Sequence, residues 1–309
     1  MNHAELAIGL DIGATKILAV VADAEARIAA RVKIDSQRER GAEHVFARIA
    51  ATCEQLLLDW PAVRAVGAGF AGLVDGRRGV VLSSIMLPGW EGYPLAQRLE
   101  QALHRPACID NDATATGLGE YRALGSPPAL NMIVLTVGTG IGGAIIVDGR
   151  LYRGATGTAG EFGNMTIDYR GEPCWCGSRG CLNMLASASA LCRSAADLAE
   201  RLGHPVTAER VGAAARRGDR GARHLVELAA DALGAGVANI VNIFNPDRVV
   251  LFGGLTGLGE QYLDRVRQAA AARAFREPMA HVRIERSRLE DATGAFGAAC
   301  LALDLSSPP

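Results

Sequence analysis

The hydrophobic pattern at the start of the chain predicts strands. Residues 6–23 are two apolar segments joined by the turn D-I-G-A-T-K, which is the pattern of a β-hairpin, and residues 26–34 continue as a third strand. Apolar side chains then recur at helical spacing through residues 42–58. Residues 65–75 return to a strand that runs into a glycine-bearing loop, so strands and helices alternate from the beginning.

The alternation continues through the rest of the chain. A short strand ends in Asp110-Asn111-Asp112, and the small residues after it predict a closely packed helix. Residues 130–154 form a second predicted hairpin around the loop V-G-T-G-I-G-G. Such alternation, with glycines where strands end, is typical of a ligand-binding α/β protein. The other predicted elements are a short strand within 79–90, a helix over 94–103 with a proline at its start, helices over 185–202, 207–217 and 221–240, a strand ending in Gly253-Gly254 and followed by a helix, a strand over 280–286 and a last helix over 292–305.

Composition narrows the classes of function. Hydrophobic residues make up 49% of the 309 positions, enough for a sizeable core, and the formal net charge is −1. A chain so close to neutral gives no electrostatic reason to expect nucleic acid or an anionic membrane as partner. The first residues lack the pattern of a secretory signal, and no apolar run reaches the roughly 18 residues of a membrane span. We therefore expect a cytoplasmic protein.

The two hairpin loops are candidate phosphate sites. Asp11 ends the first strand, where its carboxylate could hold a hydrated Mg²⁺, and Gly13 can adopt positive φ in the turn that follows. Glycines in the second loop let backbone N–H groups approach an anion closely. A solvated turn is the alternative for either loop alone, whereas the pair suggests two similar lobes. The candidate phosphate contacts are Gly13, Thr15, Lys16, Gly138, Thr139 and Gly140.

Polar residues at the end of a strand form a candidate site for a hydroxyl. Asn111 and Asp112 follow a short apolar strand, and open α/β sheets bind ligands at the carboxyl ends of their strands. Asp112 could act there as a general base. The alternative is a helix N-cap, a position where Asp and Asn are favoured.

Three of the seven cysteines are closely spaced. Cys174, Cys176 and Cys181 form the motif C-x-C-x4-C, with glycines that allow a tight loop, and thiolates are preferred zinc ligands. We expect one structural Zn²⁺ on these thiolates; three reduced thiols are the alternative. The remaining four cysteines lie apart in apolar surroundings and are expected in the core.

The order of these motifs resembles the ROK family. The motifs are D-I-G-A-T-K, I-D-N-D-A, V-G-T-G-I-G-G, A-G-E-F-G and C-W-C-G-S-R-G-C, and the resemblance covers nearly the whole chain. That family contains glucokinases, fructokinases, N-acetylmannosamine kinases and related repressors. The resemblance implies a two-lobed, actin-like and hexokinase-like (ribonuclease H-like) α/β fold with ATP-Mg in the cleft. The small lobe would be residues 1–112 with the last helix, 292–309, and the large lobe 113–291.

The resemblance also assigns roles to single residues. Asp112 matches the catalytic base, which takes the proton from the attacking hydroxyl. The nucleotide would lie against the two phosphate loops and the Gly253-Gly254 turn. A repressor of the family carries a DNA-binding domain before the first phosphate loop, and ten residues precede Asp11, so we expect an enzyme. The implied sugar contacts are Gly72, Asn111, Asp112, Glu161, Asn164 and Asn183.

Two positions depart from the family pattern. The family commonly has a histidine that ligates zinc and touches the sugar where this chain has Asn164, so water or the Asn164 side-chain oxygen would be the fourth zinc ligand. Its glucose enzymes have an acidic residue where this chain has Asn183. The residues expected at the phosphorylated end of the sugar therefore match the family pattern, and those expected at the opposite end differ from it. We expect a kinase of an amino sugar, a glycoside or a cyclitol, acting as a homodimer or homotetramer. An ordinary glucokinase or fructokinase is the alternative, followed by a sugar-binding protein without activity.

Overall fold

The computed structural model describes residues 5–287, 289 and 291–306. Contacts divide the chain into two compact units. Unit 1 consists of Met1–Leu130, Ala144–Gly160 and Leu289–Pro309, and unit 2 of Asn131–Gly143 and Glu161–Arg288. The lobe boundary predicted from the sequence at residue 112 stays a prediction.

Strands and helices alternate along the chain, as the sequence predicts. The strands are β1 Leu6–Ile12, β2 Lys16–Asp23, β3 Ile28–Asp35, β4 Val63–Phe70, β5 Leu73–Asp75, β6 Val80–Ser83, β7 Ala107–Asn111, β8 Met132–Val137, β9 Ile141–Val147, β10 Arg150–Leu151, β11 Arg248–Phe252 and β12 Arg283–Arg286. The α-helices are α1 Ala42–Asp59, α2 Leu95–Leu103, α3 Asp112–Ala123, α4 Leu182–Ala186, α5 Ala188–Ser194, α6 Ala199–Leu202, α7 Ala208–Arg216, α8 Arg220–Phe244, α9 Glu260–Ala271, α10 Arg276–His281 and α11 Thr293–Ser306.

Unit 1 is built on a five-stranded sheet with the order β3-β2-β1-β4-β7. The strands β1, β2 and β3 pair antiparallel, which confirms the first predicted hairpin and third strand, while β1, β4 and β7 run parallel. In this register Phe70 pairs with Ile12 on one side and with Asn111 on the other. The carboxyl ends of the three parallel strands therefore lie at one edge of the sheet.

The helix α11 packs against this sheet almost backbone to backbone. A Cβ at Gly67 would lie 1.8 Å from the carbonyl oxygen of Ala298, and one at Gly9 would lie 1.9 Å from that of Ala295. No side chain fits at either position. These glycines let the alanine-rich helix bury itself against β1 and β4.

A second five-stranded sheet has the order β10-β9-β8-β11-β12, and the division between the units falls within β9. In unit 2, β8 pairs parallel with β11, and β11 pairs parallel with β12. The turn between β9 and β10 has Asp148 and Gly149 at positive φ, as the Asp-Gly pair of a tight hairpin requires.

The structure differs from the predicted helices in three places. The single helix expected over 185–202 is broken, because Ser187 has extended backbone angles and caps α5 by accepting a hydrogen bond from the N–H of Ala190. Pro94 is the N-cap of α2 and not its first helical residue. The short helix α10 precedes β12, so the last strand begins at Arg283 and not at residue 280.

The helix α8 is more apolar than the sequence analysis expected of any segment. Among the described residues, α8 is long and apolar enough to cross a membrane by length and composition, although no run of that kind was expected. Half of its apolar window is buried inside the protein. The helix packs on α9, α7 and α4, so it is a core helix of unit 2.

Candidate functional site

The end of β7 places two predicted residues at the start of a helix. Asn111 is the N-cap of α3: its Oδ1 accepts hydrogen bonds from the N–H groups of Ala113 at 2.9 Å and Thr114 at 3.2 Å. Its Nδ2 donates to the carbonyl oxygen of Gly72 at 3.0 Å, so the structure brings these two predicted residues into contact. Asp112 is the first residue of the helix, next to this contact. The cap alternative is thus confirmed for Asn111, and it fixes the strand end that carries Asp112.

A buried ion pair lies directly beside these residues. The side chain of Asp110 is buried and accepts a hydrogen bond from Nε of Arg153 at 2.8 Å and another from the N–H of Asn111 at 2.9 Å. Burial raises the pKa of Asp110, and the Arg153 guanidinium acts against that rise. The charge pair therefore holds the strand end next to Asn111.

The first hairpin turn lies at the same edge of the sheet in unit 1. The N–H of Gly13 donates to the carbonyl oxygen of Lys16 at 3.1 Å, and Thr15 is exposed. The φ of Gly13 is not positive, in contrast to the conformation considered from the sequence. A Cβ at Gly13 would still approach the Lys16 carbonyl oxygen to 3.2 Å, so close packing accounts for the glycine.

The carboxyl of Asp11 is largely buried in this turn. Burial raises the pKa of Asp11 to about 6, while the nearby Lys16 ammonium lowers it and Asp291 raises it further. A Cβ at Gly294, in the first turn of α11, would lie 3.3 Å from Asp11 Oδ2. Because the Asp11 carboxyl is largely buried beside the Lys16 ammonium, its oxygens are suitable ligands for an additional cation.

The second glycine loop is held by its own backbone and by a neighbouring helix. The N–H of Gly138 donates to the carbonyl oxygen of Gly140 at 2.9 Å. The N–H of Ala188 donates to the carbonyl oxygen of Gly138 at 2.8 Å. The φ angles of Gly138 and Gly140 are not positive. A Cβ at Gly138 would meet only the Gly140 carbonyl oxygen, at 4.0 Å, so this side of the loop is open.

The Gly253-Gly254 turn lies against the strand that leads into this loop. Gly253 has a φ of 111°, and a Cβ there would lie 2.8 Å from the carbonyl oxygen of Val137, the residue before Gly138. At Gly254 a Cβ would meet nothing within 4 Å. The structure thus brings two predicted nucleotide-binding segments of unit 2 together and leaves their glycine surface open.

The predicted sugar residues of unit 2 form a chain of hydrogen bonds. Nδ2 of Asn164 donates to Oε2 of Glu161 at 3.2 Å, and Nδ2 of Asn183 donates to Oδ1 of Asn164 at 3.2 Å. Oδ1 of Asn183 accepts the N–H of Ile141 at 2.6 Å. Asn183 is buried, with 9% of its surface exposed. The side chain of Glu161 reaches solvent, yet the protein around it removes part of its hydration and raises its pKa.

The three clustered cysteines converge. Their Sγ atoms all lie within 4.8 Å of one another, and the Sγ atoms of Cys176 and Cys181 are 3.5 Å apart. Two sulfurs on one tetrahedral zinc are about 3.8 Å apart, given a Zn–S bond of about 2.3 Å. Cys174 and Cys181 are buried and Cys176 is exposed. The donor set and its spacing therefore fit a zinc ion.

The prediction that the other four cysteines lie in the core is confirmed for two of them. Cys53 and Cys300 are buried, and Cys108 and Cys192 are partly buried. Burial raises the pKa of Cys53 and of Cys300 to about 12, as expected for small core residues.

Comparison with known proteins identifies the family. The family model described as "ROK family" matches residues 7–305. The chain belongs to the ROK family. The structure of a ROK family glucokinase from Streptomyces griseus, in complex with glucose and AMPPNP, is 34% identical, with a TM-score of 0.83 over 97% of this chain and 99% of that chain. This similarity confirms the predicted actin-like, hexokinase-like α/β fold.

Curated ROK relatives include enzymes and a regulator. A glucokinase of Thermotoga maritima is 32% identical and aligns over 95% of this chain and 96% of its own length. An N-acetylmannosamine kinase of Salmonella typhi is 32% identical over 96% of this chain and 97% of its own. A xylose repressor of Caldicellulosiruptor bescii is 31% identical over 97% of this chain and 78% of its own.

Sequence reasoning missed two of the contacts in this ROK chain. It named Asp110 but not its partner Arg153, for which the local signal is a basic residue near the end of the predicted hairpin over 130–154. It also merged Ser187 into a long helix, although a serine before an apolar helical segment is a helix-start signal. The break at Ser187 is what lets the start of α5 contact the loop at Gly138.

Proposed function

We propose that this protein transfers the γ-phosphoryl group of ATP to a hydroxyl, in a position like the 6-hydroxyl, of a hexose-derived substrate. An amino sugar, a glycoside or a cyclitol fits better than plain glucose. The chain is an ATP-dependent sugar kinase of the ROK family. The observation that carries the assignment of the reacting end is the Asn111–Gly72 contact beside Asp112 at the carboxyl end of β7.

In this proposal Asp112 is the general base. Its carboxylate takes the proton of the acceptor hydroxyl as the hydroxyl oxygen bonds to the γ-phosphorus. The bond between that phosphorus and the β–γ bridging oxygen breaks, and ADP leaves with the electron pair. The hydrogen bonds of Asn111 and the Asp110–Arg153 pair fix the backbone on which Asp112 stands. Such positioning supplies a large part of catalysis in phosphoryl transfer.

The glycine loops bind the nucleotide in this proposal. The open face at Gly138 and Gly254 accepts a ligand close to the backbone, because a Cβ there would meet no protein atom nearer than 4.0 Å. Lys16 supplies a positive charge for phosphate. Asp11 would hold Mg²⁺, and this ion would neutralise phosphate charge when bound. The proposed nucleotide contacts are Asp11, Gly13, Thr15, Lys16, Gly138, Thr139, Gly140, Gly253 and Gly254.

We propose that two amides replace the family's titratable groups at the end of the sugar site opposite to Asp112. Asn164 and Asn183 bond to each other, so the two positions at which the family pattern has a titratable group form a neutral amide pair. Glu161 is then the charged acceptor that remains for a substrate hydroxyl or N–H. An unmade hydrogen bond to a charged group costs about 1–3 kcal/mol, which would weaken glucose relative to a sugar altered near its anomeric end.

A structural zinc ion is proposed at Cys174, Cys176 and Cys181. The thiols have the required spacing, and when bound the ion would fix the loop that leads into α4. Oδ1 of Asn164 already accepts a hydrogen bond from Asn183, so we favour water over this side chain as fourth ligand. The lobe bounds, the cytoplasmic location and the homo-oligomeric state stay predictions.

A substrate panel tests the function. ADP release would be measured with hexoses, amino sugars, glycosides and cyclitols, and the Asp112→Asn protein would serve as the control for background ATP hydrolysis. We expect kcat/KM to be highest for a compound altered near the anomeric carbon and glucose to be a poor substrate. If glucose has the highest kcat/KM, the protein is an ordinary glucokinase and the argument from the amide pair is wrong. If no acceptor stimulates ADP release above that of Asp112→Asn, the kinase proposal fails.

A further inference from the structure

The hydrogen bonds between Ile141 and Glu161 have a fixed direction. The backbone N–H of Ile141 can only donate, so the side-chain atom of Asn183 that faces it must be oxygen. The ionised carboxylate of Glu161 can only accept, so the atom of Asn164 that faces it must be nitrogen. Both ends therefore require the same middle bond, from Nδ2 of Asn183 to Oδ1 of Asn164. We call these three bonds the amide relay.

One end of the amide relay holds the glycine loop. Ile141 directly follows Gly140, and a Cβ at Gly140 would lie 3.4 Å from Oδ1 of Asn183. The segment after Asn183 holds the other side of the loop, because the N–H of Ala188 donates to the carbonyl oxygen of Gly138. Oγ of Ser187 in turn donates to the carbonyl oxygen of Asn183 at 2.6 Å. The loop over 138–141 is thus held on both sides by residues 183–188.

The middle of the amide relay is closely packed. A Cβ at Gly163 would lie 2.4 Å from Nδ2 of Asn183 and 2.0 Å from the carbonyl oxygen of Ile141. The amide of Asn183 therefore packs directly against the backbone of Gly163, where no side chain would fit. If Asn164 stops accepting, Nδ2 of Asn183 becomes a buried donor without its partner, and the amide that holds Ile141 loses its fixed orientation.

We propose that Asn183 and Asn164 are positioning residues that couple the loop over 138–141 to Glu161. The side chain at position 164 then controls nucleotide affinity through Asn183, although the bonds of Asn164 in the amide relay go to Asn183 and Glu161 and not to the loop. The nucleotide part of this proposal rests on the proposed function, in which the loop binds the phosphates of ATP. The same coupling links nucleotide binding to the orientation of the Glu161 carboxylate.

The test uses two substitutions at one position. Asn164→Leu removes the acceptor for Asn183. Asn164→Asp keeps an acceptor oxygen there, but it replaces the donor toward Glu161 by a second oxygen and adds a negative charge beside that carboxylate. Affinity for Mg-AMPPNP, measured by calorimetry on the full chain without acceptor substrate, should fall about fivefold or more in Asn164→Leu. It should stay within about twofold of the wild-type value in Asn164→Asp. Asn239→Leu is the matched control, because it removes a partly buried amide of unit 2 that donates to Met165 Sδ outside the amide relay.

Each outcome decides the proposal. Unchanged affinity in Asn164→Leu, or the same loss in Asn164→Asp and Asn164→Leu, would overturn the coupling, because the acceptor at position 164 would not matter. A similar loss in Asn239→Leu would mean that any lost amide perturbs unit 2. If the wild-type protein does not bind Mg-AMPPNP, the proposed function fails. Hydrogen exchange of the peptide that covers 138–141 then tests the coupling alone: faster exchange in Asn164→Leu supports it, and unchanged exchange contradicts it.

Discussion

Replacing Asp11 with asparagine is expected to stabilise the ligand-free protein above pH 6. Burial raises the pKa of Asp11 from 3.8 to about 6. The unfolded chain therefore ionises this carboxyl at a lower pH than the folded protein does. The folded state gains relative stability from a neutral Asp11 at low pH, and this contribution is lost as the pH rises through about 6. Asparagine has the same shape and does not ionise, so the variant avoids the loss.

The magnitude follows from the difference between the two pKa values. A difference of about 2.2 units, at 1.36 kcal/mol per unit, gives about 3 kcal/mol in favour of Asp11→Asn at pH 8. The same two pKa values give about 1 kcal/mol at pH 4.5, and the gain approaches zero below pH 3.8. At an unfolding entropy of about 2.1 cal/mol/K per residue, about 3 kcal/mol corresponds to a rise in Tm of roughly 5 °C for a chain of 309 residues.

The assay is scanning calorimetry between pH 4.5 and pH 8, without nucleotide or Mg²⁺. Asp35→Asn is the matched control, because Asp35 is an exposed carboxylate at the end of β3 in the same sheet. Its Oδ1 accepts the N–H of Gln37, a bond that asparagine can also make. The Tm difference between Asp11→Asn and the wild type should widen with pH, and that of Asp35→Asn should not.

An equal Tm for Asp11→Asn and the wild type at pH 8 would refute this reasoning. It would mean that the first turn of α11, which packs against the carboxyl at Gly294, stabilises the charge enough to offset burial. Kinase activity should fall in Asp11→Asn whatever its stability, because the variant loses the carboxylate proposed to hold Mg²⁺. A variant that is both more stable and less active would identify Asp11 as a residue retained for function at a cost in stability.

Three further predictions concern single features. Asp112→Asn should lower kcat by at least about 100-fold with little change in Tm, and undiminished turnover would remove Asp112 from the mechanism. Gly138→Val should weaken binding of Mg-AMPPNP at nearly unchanged Tm, because the added side chain projects into open space; normal affinity would give the loop another role. Elemental analysis of protein purified without added metal should find about one zinc per chain, and less in Cys176→Ser. Zinc-free protein that stays fully active in a chelator would contradict the metal site.

The sequence predicted the features that depend on neighbouring residues. The hairpin over residues 6–23 and the strand that ends at Asn111 were recognisable because strand periodicity and turn residues are local signals. The convergence of Cys174, Cys176 and Cys181 was predictable for the same reason, since eight positions hold all three. The motifs also identified the ROK family before any fold was known.

The partners of individual polar side chains could not be predicted. Asn183 accepts from Ile141, which lies 42 positions earlier, and nothing in the local pattern of either residue indicates the other. The proposed contact of Asn183 with the sugar stays a prediction; what the sequence did not indicate is that its amide is held between the backbone N–H of Ile141 and Asn164. The Asp110–Arg153 pair spans 43 positions in the same way. Such contacts are set by the tertiary fold and not by periodicity.

The packing of α11 on β1 and β4 has a consequence for biosynthesis. The strands that α11 covers, β1 and β4, are translated more than 200 residues before the helix, Thr293–Ser306. Gly9 and Gly67 present bare backbone, so no side chain of their own shields this face of the sheet until the helix arrives. Unit 2 has all its strands and helices between β8 and β12 and can fold earlier. A chain that ends before residue 293 would therefore leave this face of the N-terminal sheet open to chaperones and proteases, although it contains every strand and helix of unit 2.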